Sequence, residues 1–306
     1  MHPDSRQPVR LEQQDERAMK KVAILTDSTC CLPQEVIEEY GIHTVPIWIV
    51  YEGRSYKDGI DITAEQVYDI MRKKEHLPTT SAPSVGDFLE AYRKLATEAQ
   101  SILCITMTSL QSQINQVASL ARDIARQDNR CITIEVLDSR AVAGALGFVV
   151  LEAARTASQG ADLAQVIDAA LRMMNRVHFV AMVDTLYYLA RTGRIGRAAA
   201  WVGSLLNVKP VLEHSPKVGE TMPLARPKTK EGAIQLILDT MAARVGDAKV
   251  HAIVNHADER QEAERLLDTI AAKFDCAELY LADLTPGMGV HAGPGVVGAA
   301  FYTEGQ

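Results

Sequence analysis

The chain has 306 residues, 47% hydrophobic and 23% charged, which leaves room for two ordinary globular domains and excludes a disordered polypeptide. Its formal charge of −7 and isoelectric point near 5.7 exclude a general affinity for nucleic acid or anionic membrane, since both need a basic surface. No apolar run approaches the roughly 18 residues of a membrane span, and Met1-His2-Pro3-Asp4-Ser5-Arg6 lacks the apolar core of a signal peptide, so a cytoplasmic location without an integral membrane segment is expected.

Residues 1–19 are polar without periodicity and read as a flexible tail. Val22-Ala23-Ile24-Leu25 is a buried strand closed by Thr26-Asp27-Ser28-Thr29, and Leu32-Pro33 opens a helix that Gly41 ends. His43 to Val50 reads as the next strand, giving a strand-helix-strand unit of a parallel sheet. After the loop Asp58-Gly59-Ile60-Asp61, a helix from Ala64 to about Lys73 carries Val67, Ile70 and Met71 on one side.

Leu77-Pro78-Thr79-Thr80-Ser81-Ala82-Pro83-Ser84 packs four hydroxyls between two prolines and reads as a stiff loop suited to an anion or carboxylate. Ser84 and Asp87 form a capping-box pattern for the next helix, which leaves Thr80 and Ser81 to face elsewhere. Ile102 to Thr106 is a further strand, and Thr108-Ser109-Leu110-Gln111-Ser112-Gln113 runs into a helix with Thr108 and Gln111 spaced as a second capping box. A helix start at the carboxyl end of a parallel strand is where such folds place anionic ligands; simple capping explains the same residues.

Ile132 to Leu137 is a strand ending in Asp138-Ser139-Arg140, and an alanine-rich buried helix runs from about Val142 to Ser158. A domain boundary is placed at 160/161, giving an N-terminal domain over 20–160 and a C-terminal one over 161–306. Beyond it the pattern predicts a strand at Phe179–Val183, a helical turn at 186–189, a buried helix over 198–206, a hairpin around Val218-Gly219-Glu220 and two more helix-strand pairs. The C-terminal sheet is therefore mixed. Arg191, Arg194 and Arg197 recur every third residue and suit either an anion clamp or a solvated face. Gly287 to Gly295 reads as a glycine-rich loop in which His291 can meet an anion.

Cys30, Cys31, Cys104, Cys131 and Cys276 are scattered without metal-site or disulfide spacing; Cys104 and Cys131 read as small core residues. His251 and His256 with Asp258 read as surface groups at a strand end, and Asp27, Asp58, Asp61, Asp138 and Asp184 as loop caps. Phosphate-loop, dinucleotide-fingerprint, nucleophile-elbow and zinc-protease motifs do not occur. The residues themselves lead to a two-domain α/β protein holding a small acidic ligand, with no cofactor and no metal.

An ordered set of motifs goes further. Thr26-Asp27-Ser28-Thr29 with Leu32-Pro33, Tyr56-Lys57-Asp58-Gly59, Thr80-Ser81-Ala82-Pro83-Ser84, Asp138-Ser139, Val183-Asp184-Thr185-Leu186, Gly193-Arg194-Ile195, Leu206-Asn207-Val208-Lys209-Pro210 and Gly289-Val290-His291-Ala292-Gly293-Pro294-Gly295 resemble the DegV family of bacterial fatty-acid-binding proteins. The resemblance implies a long-chain fatty acid such as palmitate or oleate held between an N-terminal parallel-sheet domain and a C-terminal mixed-sheet domain. Thr80, neighboured by Ser81, would hold the carboxylate together with Ser109 or Ser112, with His291 near the head group. A fatty acid kinase is the implied partner, and the Arg194 region would steady the phosphate or the kinase. The family's Leu-Ser-Gly-Thr is replaced here by Gln111-Ser112-Gln113-Ile114, and the aspartate before Leu32-Pro33 is missing. The chain is expected to be a non-catalytic carrier subunit; the alternatives are a hydrolase or phosphotransferase using Ser109, Ser112 or His291, and a lipid-sensing protein without a kinase.

Overall fold

The computed structural model describes residues 19–73, 76–127, 132–201 and 208–304, so the expected tail lies outside the described residues apart from Met19. Strand β1 (Lys20–Asp27) leads through a single 3-10 turn to helix α1 (Gln34–Glu39) and to β2 (His43–Val45), which lies parallel to β1. The strand expected over 43–50 is cut in two. Pro46 has no N–H for a ladder, and the chain leaves the parallel sheet there. β3 (Trp48–Tyr51) pairs antiparallel with β4 (Arg54–Lys57) instead.

After α2 (Ala64–Lys73), the proline-bracketed segment is a strand rather than a loop: β5 (Thr79–Ser81) adds to the other edge of β3 with Thr80 opposite Ile49. Pro78 and Pro83 flank it, where their missing N–H groups interrupt no ladder bond. α3 (Val85–Leu95) starts on the expected capping box, with Asp87 N–H donating to Ser84 Oγ at 3.1 Å and Ser84 N–H to the Asp87 carboxylate at 2.7 Å. β6 (Ala99–Thr106) joins β1 in parallel. The capping box expected at Thr108 and Gln111 does not form. Thr108 Oγ1 donates to the Gly219 carbonyl at 2.9 Å, and the chain makes a turn before α4 (Ile114–Gln127) begins. β7 (Thr133–Asp138) completes the parallel sheet in the order β2-β1-β6-β7.

α5 (Ala143–Ser158) follows, and α6 (Leu163–Arg176) packs along it from a capping box made by Asp162 and Gln165. The chain continues through β8 (His178–Met182) and α7 (Tyr187–Arg191) to Gly196–Trp201. That segment is a 3-10 helix where the start of an α-helix over 198–206 was expected; 202–207 lies outside the described residues. Next come the hairpin β9 (Val211–Ser215) and β10 (Glu220–Ala225), then α8 (Lys230–Val245), β11 (Val250–Ala257), α9 (Arg260–Lys273) and β12 (Cys276–Asp283). α10 (Pro286–Ala292) and β13 (Val296–Thr303) close the chain. Among the described residues this second sheet has the order β10-β9-β8-β13-β11-β12 and is antiparallel except for β11 with β12, the mixed sheet expected.

α10 stands where a glycine-rich loop was expected. Pro286 suits the first helical position, and Gly287 and Gly289 let the helix lie against Ile47 and Tyr68, where an added Cβ would come within 2.3 and 2.6 Å. α5 is apolar nearly all round because both sheets cover it: β1 on one side, β11 and β13 on the other. One core therefore spans both sheets through α5, and a second lies beneath α8 and α9 on the outer face of the mixed sheet.

Candidate functional site

Between the N-terminal half and the inner face of the mixed sheet lies a cavity of about 620 Å³, within the size range of small-molecule sites. Its walls are largely apolar, with Met107, Ile114 and Val142 facing Phe179, Ala181 and Leu212. The structure places all six expected residues, Thr80, Ser81, Ser109, Ser112, Arg194 and His291, around this cavity.

β5 holds Thr80 by its pairing to β3, and α10 carries His291 to within 2.7 Å of it, measured between Thr80 Oγ1 and Nε2. Burial, then the nearby Arg194 charge, push the His291 imidazole down to about 4, so it is neutral at pH 7, and its Nδ1 is buried without a partner among the described residues. Arg194 is fixed by its backbone neighbours: Nε donates to the Gln111 carbonyl at 3.1 Å and Nη1 to the Thr192 carbonyl at 2.5 Å. Ser112 Oγ accepts from Ile114 N–H at 3.3 Å, Ser109 N–H donates to Asp138 at 3.2 Å, and Ser81 Oγ turns to the Ala82 carbonyl at 3.3 Å. Around Thr80, hydroxyls, the neutral imidazole of His291 and the Arg194 guanidinium thus meet at a largely apolar cavity, an arrangement that can bind a carboxylate and bury a chain.

The arginine triplet does not converge. Only Arg194 lines the cavity, Arg191 is exposed, and Arg197 donates to Glu220 at 3.0 Å. Asp27, Asp61 and Asp138 cap as expected, Asp27 receiving N–H bonds from Thr29 at 3.0 Å and Met107 at 2.9 Å, whereas Asp184 pairs with Lys209. Asp58 does more, accepting from Ser28 Oγ at 2.6 Å and from Gly287 N–H at 2.7 Å, and so ties α10 to the N-terminal half. Burial raises the pKa of the Asp27 and Asp58 carboxyls. His251 and His256 are not surface groups. β11 extends to Ala257 and buries both, with His251 Nδ1 at 2.6 Å from Glu278. Burial pushes the Cys30 thiol up to about 12 and raises Cys31 as well, which leaves that pair unreactive. Cys104 is buried as expected, and Cys131 lies outside the described residues.

Sequence reasoning missed several polar residues of the wall, among them Gln111 as a side chain rather than a cap, His214 and Thr221. The alternation Leu212-x-His214 in β9 carries the signal, since residues two apart on a strand share a face. No group of three or more His, Cys, Asp or Glu side chains among the described residues is arranged to hold a metal. No helix among them is long and apolar enough to cross a membrane.

A family model described as an uncharacterised protein of the DegV family matches residues 21–304. A DegV domain-containing protein of Clostridium acetobutylicum is 35% identical, covering 92% of this chain and 98% of its own, and Protein DegV of Bacillus subtilis is 31% identical at 92% and 98%. Among solved structures, the fatty-acid-binding DegV family protein of Thermus thermophilus superposes with a TM-score of 0.85 at 29% identity, covering 92% of this chain and 99% of that one. The Bacillus subtilis fatty acid binding protein DegV gives 0.84 at 28%, covering 93% and 100%. With its parallel N-terminal sheet, its mixed C-terminal sheet and a model match over nearly its whole length, this chain belongs to the DegV family.

Proposed function

We propose that the chain binds a long-chain fatty acid in the cavity, with Thr80 and the serines Ser109 and Ser112 holding the carboxylate beside His291 and Arg194. The observation that carries this reading is the convergence of these groups on a largely apolar cavity of about 620 Å³. Burying ~15 methylenes at ~0.8 kcal/mol each gives ~12 kcal/mol of gross driving force before ordering costs, so the chain supplies affinity and the hydroxyls orientation. Residues 20–160 and 161–306 serve as the two domains on either side of the ligand. On this reading the protein is a cytoplasmic carrier, without a cofactor of its own, that presents the acid to a fatty acid kinase for conversion to an acyl phosphate.

A hydrolytic reading would make a hydroxyl the nucleophile and His291 its base. The imidazole is held near 4 and its Nδ1 has no orienting carboxylate among the described residues, which makes it a weak base. Denaturing extraction of the purified protein followed by mass spectrometry tests the proposal. A stoichiometric long-chain acid is expected; a protein that holds none and takes up none when it is added would falsify it. Mixing the loaded protein with a fatty acid kinase and ATP tests the partner, the expected product being acyl phosphate formed only with both proteins present.

A further inference from the structure

The cavity wall around Gln111 is not uniformly apolar. Gln111 Nε2 donates to Thr221 Oγ1 at 3.0 Å, Thr221 Oγ1 faces His214 Nδ1 at 3.5 Å, and His214 Nε2 meets the Arg140 carbonyl at 3.1 Å. All three side chains line the cavity, and His214 is only 3% exposed. A carbonyl can only accept, so Nε2 carries the ring proton and Nδ1 presents a lone pair towards Thr221. Burial keeps the ring neutral, which agrees with that tautomer.

The row has a gap in it. A contact of 3.5 Å is at the outer limit for a hydrogen bond, while the two on either side of it are of ordinary length. Across the ladder His214 stands between Thr221 on one strand and Phe179 on the other, with Leu212 and Ala181 as the next pair along the same wall. Gln111 links this row to the head-group residues, its carbonyl fixing Arg194 and its side-chain amide reaching Thr221.

We infer that Gln111, Thr221 and His214 form a second polar subsite that selects fatty acids bearing a hydroxyl on the chain. The inference rests on the fatty-acid reading above and names the class of acid. The chain hydroxyl accepts from the Thr221 hydroxyl and donates to His214 Nδ1, bridging the 3.5 Å contact, while Gln111 holds Thr221 in place. An unsubstituted chain leaves that lone pair with only the long 3.5 Å contact to Thr221.

Displacement of a fluorescent fatty acid tests this with stearic acid and a series of hydroxystearic acids that differ only in the hydroxyl's position. One net hydrogen bond corresponds to about 3- to 10-fold in affinity, so at least one hydroxystearate is expected to bind the wild type tighter than stearate by that factor. In Thr221→Val, which keeps the β-branched shape of the strand residue, the ratio is expected to fall to about one, and in Gln111→Leu to fall part of the way. Stearate bound as tightly as every hydroxystearate overturns the subsite and leaves the fatty-acid reading standing, as does a preference that survives both substitutions. Binding of neither kind of acid overturns both.

Discussion

The two walls of the cavity are built from different chemistry. The N-terminal half supplies hydroxyls, those of Thr80, Ser109 and Ser112, on backbone held by β5 pairing and by the turn before α4. The mixed-sheet half supplies the titratable groups, the imidazoles of His214 and His291, with the guanidinium of Arg194 and the hydroxyl of Thr221 beside them. Hydroxyls do not titrate in the ordinary pH range, whereas the imidazoles are neutral because they are buried. One wall is therefore sensitive to shape alone and the other to shape and pH.

The largest effect that separates the walls is expected in acid. Burial for His214, and burial together with the Arg194 charge for His291, lower each ring from 6.5 to about 4. Between those values the unfolded chain takes up protons that the folded chain refuses, so stability is complete above about pH 6.5 and falls as the pH drops towards 4. The loss is up to ~3 kcal/mol per histidine. Asp27 and Asp58, behind the hydroxyl wall, act with the opposite sign. Burial raises their pKa, so their protonation favours the folded state as the pH falls towards the unfolded value of 3.8. Urea midpoints from neutral pH to about pH 4 should fall, less so in His291→Asn and His214→Asn. Equal slopes in the wild type and both variants would remove the contrast between the walls.

Next comes the joint between the halves. Gly289 lets α10 lie on Tyr68, and valine there would bring a Cβ within 2.6 Å of the ring. Gly289→Val should cost ~1–3 kcal/mol and lower the melting temperature by several degrees. It should also weaken fatty acid retention, because His291 sits on the displaced helix. Thr80→Val leaves α10 in place but takes the partner from His291 Nε2, an unpaired buried nitrogen worth ~1–3 kcal/mol. Retention measured by mass spectrometry should drop, and the melting temperature of the ligand-free protein should fall by several degrees at most. Retention unchanged in that variant removes Thr80 from the head-group site.

Much of this was legible in the sequence, for reasons that vary by residue. The buried strands β1 and β6 are short continuous apolar runs, and α5 is apolar all round, so periodicity and length place them. The break at Pro46 and the strand at Thr79–Ser81 were legible in principle from proline's missing N–H, yet the partner strand β3 that makes β5 a strand is some 30 residues earlier, and no local pattern announces that pairing. α10 was hidden because glycine reads as loop; its helix is fixed by what surrounds it, Ile47, Tyr68 and the Asp58 carboxylate on its first turn. The six site residues were singled out by hydroxyl and glycine clustering together with the family resemblance. His214 and Thr221 were passed over because one polar residue on an alternating strand is ordinary until the opposing wall is known.

The smallest effect is expected at Ser112, and it distinguishes a hydroxyl that binds from one that only shapes its turn. Ser112 Oγ already accepts from Ile114 N–H at 3.3 Å, a long bond at the start of α4 that water can replace. Ser112→Ala should therefore change stability by well under ~1 kcal/mol. If the hydroxyl also donates to the carboxylate, acid affinity falls by about 3- to 10-fold, one net hydrogen bond, at nearly constant stability. A matched loss of stability without any loss of affinity would make Ser112 a turn residue and leave Ser109, whose N–H is held by Asp138, as the serine of the hydroxyl wall.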